Sequence, residues 1–334
     1  MSRITFVQAI NQALHDAMEA DGKVLVLGED VADAEGGGVV GITKGLSTKF
    51  GVERVKSTPI SEQAIMGAAV GAALKGFKPV AEIMLMNFTT VASDMIVNHA
   101  AKLRFMSGGQ TSVPLVVRTM TGAGVSNGGQ HSDYLESWFA HTAGLKVVLP
   151  STPADAYGLM LSCIDDPDPS MFIETLPALY NKGEAPERGK RVPLGKAKVL
   201  RPGTDVSVIG YGRIIQQVAG LADELREEGI SVEVIDLRTV SPIDKETVLE
   251  SVRKTGAAIV VHEAVRKFGV GAEISSLIHE EAFGALRSPV RRIGAKYAPV
   301  PFSQPLEAAS LPSIDDVAAE IRSLHALVPA QAAR

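Results

Sequence analysis

The residues best placed to do chemistry follow the second expected strand. Thr58-Pro59-Ile60-Ser61-Glu62 runs into Gln63-Ala64-Ile65-Met66-Gly67-Ala68-Ala69-Val70-Gly71, which sets one carboxylate in the first turn of a helix made of small and apolar residues. A carboxyl group among apolar neighbours can keep or lend a proton near neutral pH, but an acid at a helix N-terminus also simply complements the helix dipole. The helix is apolar nearly all the way round, so burial on every side is expected. Gly67 and Gly71 lie four residues apart and would let another backbone approach one face, as at a subunit interface.

Two letter patterns ask for other chemistry. Gly36-Gly37-Gly38-Val39-Val40-Gly41 satisfies G-x-G-x-x-G, but a dinucleotide site needs its first glycine at the end of a strand, and Glu29 to Glu35 intervene; a flexible glycine loop is expected instead. Gly124-Val125-Ser126-Asn127-Gly128 satisfies the G-x-S-x-G of serine hydrolases, with His262 or His279 downstream as a base. Thr121-Gly122-Ala123 separates strand from serine, and no His-Gly-Gly type oxyanion loop precedes it, so a hydrolase using Ser126 is the distant alternative. The single cysteine, Cys163, rules out an intrachain disulfide and fits a reducing compartment.

The scaffold for these residues is a folded α/β chain. With 334 residues, 46% of them hydrophobic and 21% charged, the sequence suits two domains with sizeable cores. Its net charge of -5 leaves no basic surplus for phosphates, which argues against nucleic acid or an anionic membrane as main partner. The N-terminal segment carries Asn11, Gln12, His15, Asp16 and Glu19 and does not resemble a secretory signal, so a cytoplasmic protein is expected. The most apolar run, Ala64 to Leu74, is about half of the roughly 20 residues that cross a bilayer.

Strand and helix patterns alternate along the chain, which predicts parallel βαβ architecture. Strands are expected at Val24 to Leu27, Arg54 to Ser57, Pro79 to Met84, Pro114 to Met120, Lys146 to Leu149 and Met171 to Glu174, with helices near 5–20, 60–75, 89–106, 133–142 and 153–164. Together they form one doubly wound domain. The stretch 181–195 is polar, carries Gly and Pro without periodicity, and marks the connection; the expected division is 1–185, a linker at 186–199 and a second α/β domain at 200–334. There the strands Val206 to Gly210, Val232 to Leu237, Ala258 to His262 and Val290 to Ile293 enclose helices near 213–228, 243–254 and 270–283, and Ile314 to Leu327 forms a last helix before an Ala-rich tail expected to fray.

Glu62, Gly67, Ala68 and Gly71 resemble the glutamate-glycine motif of thiamine diphosphate enzymes. Gly28-Glu29-Asp30-Val31, Ala101-Lys102, Met106-Ser107-Gly108-Gly109, Gln130-His131-Ser132, Pro150-Ser151-Thr152-Pro153 and Asp236-Leu237-Arg238 stand around it in order. In this text, to about Pro312, the chain resembles the β subunit of the E1 component of 2-oxo acid dehydrogenase complexes. The resemblance implies a transketolase-type pyrimidine-binding domain followed by a transketolase C-terminal-like domain. It also implies that Glu62 hydrogen-bonds the cofactor pyrimidine at N1′ and drives the tautomer whose 4′-imino group takes the thiazolium C2 proton. Met84 and Phe88 would line the pyrimidine and Glu29 would be a nearby acid, although each also reads as packing at an element end. His131 would stand at the active-site mouth and serve acyl transfer to a lipoyl group, although a lone histidine in a glycine-rich loop also reads as structural.

The resemblance further implies a potassium ion near Leu115, Cys163, Ile164, Asp166 and Asp168, held largely through carbonyls, where Asp165-Asp166-Pro167-Asp168-Pro169 also reads as a solvated turn. No Gly-Asp-Gly with a downstream asparagine pair occurs, so Mg²⁺ and the diphosphate are expected on a separate α subunit in an α2β2 heterotetramer, inactive without it. A lipoyl acyltransferase, E2, would take the product, docking on residues 200–334. Pyruvate, branched-chain 2-oxo acids and acetoin are the family's substrates, and Gly37 to Leu46, Arg118 to Gly124, Ala282 to Leu286 and Val300 to Ser303 look most like the acetoin branch. Three positions depart from the family pattern: Asp133 stands for Gln, Ala143 for Pro and Tyr157 for Lys.

Overall fold

A computed structural model describes residues 3–327, so the Ala-rich tail expected to fray lies outside the described residues. Two compact units emerge: one holds the chain up to Gly122 together with Gln130–Leu194, the other holds Ala123–Gly129 and the chain from Gly195 on.

In the first unit six strands run in the order Lys146–Val148, Ser170–Thr175, Val116–Thr121, Lys78–Leu85, Val24–Gly28 and Val55–Ser57, every neighbouring pair parallel. The central strands are buried along their length, as parallel sheets covered on both faces require. The first helix, Phe6–Ala20, opens on a capping box. Thr5 Oγ1 accepts the Gln8 N–H at 3.2 Å and Gln8 Oε1 accepts the Thr5 N–H at 2.9 Å. This helix packs on Pro153–Asp165, which has Thr152 as N-cap and proline at its first position.

Tyr157, one of the departures from the family pattern, sits in that packing: its hydroxyl donates to Asp16 Oδ2 at 2.7 Å and accepts the Gly189 N–H at 2.6 Å. Ala143 is exposed, and nothing in the structure requires proline there. The neighbouring Gly144 has φ +95°, and a Cβ on it would lie 2.0 Å from the Ala101 carbonyl oxygen.

Several expected elements differ. The helix foreseen over 89–106 is broken into a 3-10 turn Met86–Thr90, a π-helical run Asp94–Ala100 and a short α-helix Ala101–Met106. The hydroxyls of Thr89 and Thr90 bond back to the Met86 and Asn87 carbonyls at 2.5 and 2.7 Å, competing with regular helix bonding. The helix foreseen over 133–142 shrinks to Glu136–Ala140, because Asp133 is engaged elsewhere, with Asn87 and Thr121. The glycine loop foreseen as flexible is tied down. Asp33 accepts from Gly45 N, Ser47 Oγ, Thr48 N and Thr48 Oγ1, and the Gly38 N–H reaches the Asp30 carbonyl at 2.7 Å. Burial alone would raise the Asp33 carboxyl, but those bonds outweigh it and hold it well below the usual carboxylate range.

The stretch before Gly195 is also anchored: the Val192 N–H meets the Gly158 carbonyl at 3.2 Å, and Val192 and Leu194 pack on the first core. A short strand unforeseen in the sequence, Arg3–Thr5, pairs antiparallel with Lys182–Glu184.

The second unit is a five-stranded sheet in the order Arg291–Ala295, Ala258–Val265, Val206–Gly210, Val232–Asp236 and Lys198–Arg201; only the last pairing is antiparallel. Helices Gly212–Glu227 and Ile314–Leu327 pack together on one side of its core. Asp244 caps Lys245–Thr255 and Gly256 ends it at φ +67°. His262, 1% exposed, donates from Nδ1 to the Ala264 carbonyl at 3.1 Å, and burial pushes its pKa down to about 4. Among the described residues no helix is long and apolar enough to cross a membrane.

Two outcomes follow from these contacts. Gly144→Ala meets both the backbone angle and the Ala101 carbonyl, and should lower the urea midpoint by an amount corresponding to about 3 kcal/mol. His262 refuses a proton that the unfolded imidazole accepts, so its contribution to stability falls away as pH drops from 6.5 towards about 4. A plot of urea midpoint against pH should be flatter in that window for His262→Gln than for the parent chain.

Candidate active site

Glu62 is the first residue of the helix Glu62–Leu74, directly after the strand Val55–Ser57 and a four-residue turn. Its neighbour Ser61 makes no side-chain cap, so the first turn relies on other partners for its N–H groups. The expectation of burial on every side holds for one face only. Ile65, Met66, Ala69, Val70 and Ala73 face the core, whereas Ala64, Ala68, Gly71 and Leu74 are exposed and Glu62 is half-buried. A Cβ on Gly71 would meet nothing within 4 Å, and one on Gly67 would make only an ordinary contact with Met95 Sδ at 3.7 Å. Nothing among the described residues therefore needs glycine at either place, although glycine inside a helix costs about 1 kcal/mol relative to alanine.

Glu29 stands at the end of the strand Val24–Gly28, next to the start of that helix: the Thr58 N–H meets the Gly28 carbonyl at 2.9 Å. Burial, then the charges of Glu62, Asp30 and Glu82, hold the Glu29 carboxyl above the usual carboxylate range. The structure thus brings Glu29 and Glu62 into one electrostatic neighbourhood. Met84, partly buried, lies near the end of Lys78–Leu85 and packs on the first core. Phe88 follows in the 3-10 turn Met86–Thr90, and the His131 ring meets its edge at 5.4 Å between centroids and 85° between planes. Phe88 and His131, 43 residues apart in sequence, are therefore neighbours, and both are half-buried.

Beneath these side chains lies a buried charge cluster that sequence reasoning missed. Arg118, 1% exposed, donates from Nη1 to Glu82 and from Nε and Nη2 to Glu174, the latter at 3.1 Å. With two carboxyls on one guanidinium, burial pushes Glu174 up to about 7 despite Arg118. The available signal was a charge in each of three otherwise apolar strands: Ala81-Glu82-Ile83, Val117-Arg118-Thr119 and Ile173-Glu174-Thr175.

The residues implied for potassium gather at one end of the sheet. Asp166 Oδ1 and Asp168 Oδ2 accept from Lys146 Nζ at 2.6 and 3.1 Å, and Asp168 Oδ1 accepts from Arg104 at 2.7 Å. Burial pushes the Cys163 thiol up to about 12, while Ile164 is buried and the Leu115 carbonyl accepts the Ser170 N–H at 2.9 Å. Among the described residues no group of three or more His, Cys, Asp or Glu side chains could hold a metal ion. Lys146 and Arg104 already offset the charge of these two carboxylates.

Ser126 adopts φ +59°, but its hydroxyl faces Glu307 Oε2 at 3.4 Å and no histidine is among its partners. Glu307, 1% exposed, also accepts the N–H groups of Gly124 at 2.8 Å and Ser126 at 3.0 Å, so the G-x-S-x-G turn is a backbone cradle for a carboxylate.

Comparison with known proteins places this geometry. Residues 2–181 match the transketolase pyrimidine binding domain and residues 195–317 the transketolase C-terminal domain. The acetoin:2,6-dichlorophenolindophenol oxidoreductase subunit beta of Cupriavidus necator is 43% identical over 328 residues, covering 96% of this chain and 97% of the relative. The pyruvate dehydrogenase E1 component subunit beta of Acholeplasma laidlawii is 46% identical over 327 residues, covering 97% and 98%. A split gene transketolase, an inactive β4 tetramer, shares the fold with TM-score 0.80 at 22% identity, covering 97% of this chain and 99% of that one. Matched along nearly its whole length by such relatives, the chain belongs to the β subunits of the thiamine diphosphate-dependent E1 components of 2-oxo acid and acetoin dehydrogenase complexes.

Proposed function

We propose that this chain is the β half of a cytoplasmic E1 enzyme that cleaves the carbon–carbon bond beside a carbonyl, with acetoin as substrate, and passes the acyl unit to a lipoyl-bearing E2. The observation that carries the reading is the helix Glu62–Leu74: an acid at its tip, and behind it a flank of small residues left exposed among the described residues. Ile60, 82% exposed, extends the apolar surface beyond the acid. An α subunit laid on that flank would desolvate Glu62 and account for Gly67 and Gly71.

The donor set suits thiamine diphosphate. Glu62 would hold a proton at pyrimidine N1′, Met84 and Phe88 would give the ring apolar walls, and Glu29, held above the usual carboxylate range by burial and then by its acidic neighbours, would be a second acid nearby. Bound thiamine diphosphate supplies the acidic carbon and the electron sink that the bond cleavage needs. Mg²⁺ and the diphosphate fall to the α subunit in an α2β2 assembly, and His131 serves the acyl transfer. E2 docking is assigned to residues 200–334. Neither nucleic acid nor a membrane has a part in this scheme.

A second reading within the family, with pyruvate as substrate, is favoured by the 46% identity to the Acholeplasma laidlawii protein; branched-chain 2-oxo acids are the third substrate class. A panel of acetoin, pyruvate and 2-oxoisovalerate with the co-expressed α subunit separates them. In that complex Glu62→Ala should lower turnover at least about 100-fold, the scale of a lost acid–base group, while Ser126→Ala keeps more than half; the reverse ranking would favour a serine hydrolase. Trp138, 61% exposed and the single tryptophan of the chain, serves as the fluorescence probe. Thiamine diphosphate with Mg²⁺ should quench its fluorescence in the α-containing complex, and tight binding to the β chain alone would contradict the division of labour.

A further inference from the structure

Asp133, where the family pattern has Gln, turns out to be one half of a reciprocal pair. Asn87 Nδ2 donates to Asp133 Oδ2 at 2.9 Å, and the Asp133 N–H donates back to Asn87 Oδ1 at 3.2 Å. The amide can face only this way, since a carboxylate accepts and an N–H donates. Thr121 Oγ1 adds a bond to the Asp133 carbonyl, and the Leu135 N–H reaches Met86 Sδ at 3.4 Å. Asn87 immediately precedes Phe88, and Asp133 follows His131 by two residues. The clasp therefore joins the two short segments that carry the edge-to-face rings of Phe88 and His131.

We propose that the Asn87–Asp133 clasp sets the His131 imidazole for acyl transfer, making both members positioning residues for that half of the reaction; this rests on the assignment of His131 above. Transfer breaks the lipoyl disulfide. The acyl carbon's electron pair forms a bond to one sulfur as the S–S bond breaks, and the other sulfur leaves with the disulfide's electron pair and takes a proton. The acyl carbon then loses its hydroxyl proton and its bond to the cofactor, whose electron pair returns to the cofactor. An imidazole can deliver the leaving sulfur's proton only from a narrow range of positions, and a free glycine-rich loop would not hold it there. Two hydrogen bonds, one to a carboxylate, fix the loop at its downstream end.

The test uses the α-containing complex and two acceptors, a lipoylated E2 domain and 2,6-dichlorophenolindophenol, the dye taking electrons without a lipoyl group. Asn87→Asp sets carboxylate against carboxylate and should lower kcat for lipoyl transfer at least ten-fold, and at least five-fold more than dye-linked turnover. Asp133→Asn added to it restores the side-chain hydrogen bond with donor and acceptor exchanged, while the residue-133 N–H still donates to the side chain at 87, and should recover transfer to within about three-fold of the parent. Joined to His131→Ala, Asn87→Asp should cost nothing further. Equal loss with both acceptors, or no rescue by the exchanged pair, would overturn the proposal. If His131→Ala alone leaves lipoyl transfer intact, it is the assignment of His131 that fails, and this single variant tells the two failures apart.

Discussion

One buried guanidinium ties together the middle strands of the first unit's sheet. Arg118 joins Glu82 and Glu174 across three adjacent strands, Lys78–Leu85, Val116–Thr121 and Ser170–Thr175. Register puts Gly28 opposite Glu82 and Glu82 opposite Arg118, so the row continues to the strand that delivers Glu29. Gly28 has to be bare: a Cβ there would lie 2.8 Å from the Glu82 carbonyl oxygen. Removing one member of such a buried set leaves an uncompensated charge and typically costs about 3 to 5 kcal/mol. Glu29 thus follows a strand that is in register with this cluster, at a strand end, where open α/β folds place their ligands.

From this base the site residues diverge by different routes. Glu29 stays on its strand end, Glu62 begins a helix after a short turn, and Phe88 rides on a 3-10 turn that regular helix bonding does not support. His131 arrives on a loop whose upstream part, Ala123–Gly129, belongs to the second unit. Within that unit Glu307 gathers the N–H groups of Gly124 and Ser126. The letters of a hydrolase elbow are accordingly used to bind the protein's own carboxylate, and the left-handed φ of Ser126 serves that cradle.

Much of this was legible in the residues alone. The alternation of period-2 and period-3.6 patterns located the six parallel strands of the first unit, four of the five strands of the second and most helices, because burial on both faces of a parallel sheet leaves a strong apolar signature; the antiparallel edge strand Lys198–Arg201, partly exposed, was missed. The place of Glu62 at a helix start was legible because strand, turn and small-residue helix occur together, whereas its chemical role came only from the family resemblance. Which side of that helix lies open was not, since alanine and glycine are compatible with either environment. The break in 89–106 was missed because Thr89 and Thr90 read as neutral in a helix until their hydroxyls are seen bonding back. Glu307 and Ser126 stand 181 residues apart, and Asn87 and Asp133 are 46 apart, so no local pattern could pair them.

The bare flank of Glu62–Leu74 has a cellular corollary. In the proposed assembly it is covered; on a surplus copy it presents a greasy stripe, the kind of signal by which chaperones and proteases sort unfinished molecules from finished ones. Matched synthesis of the two polypeptides would leave no such copy over.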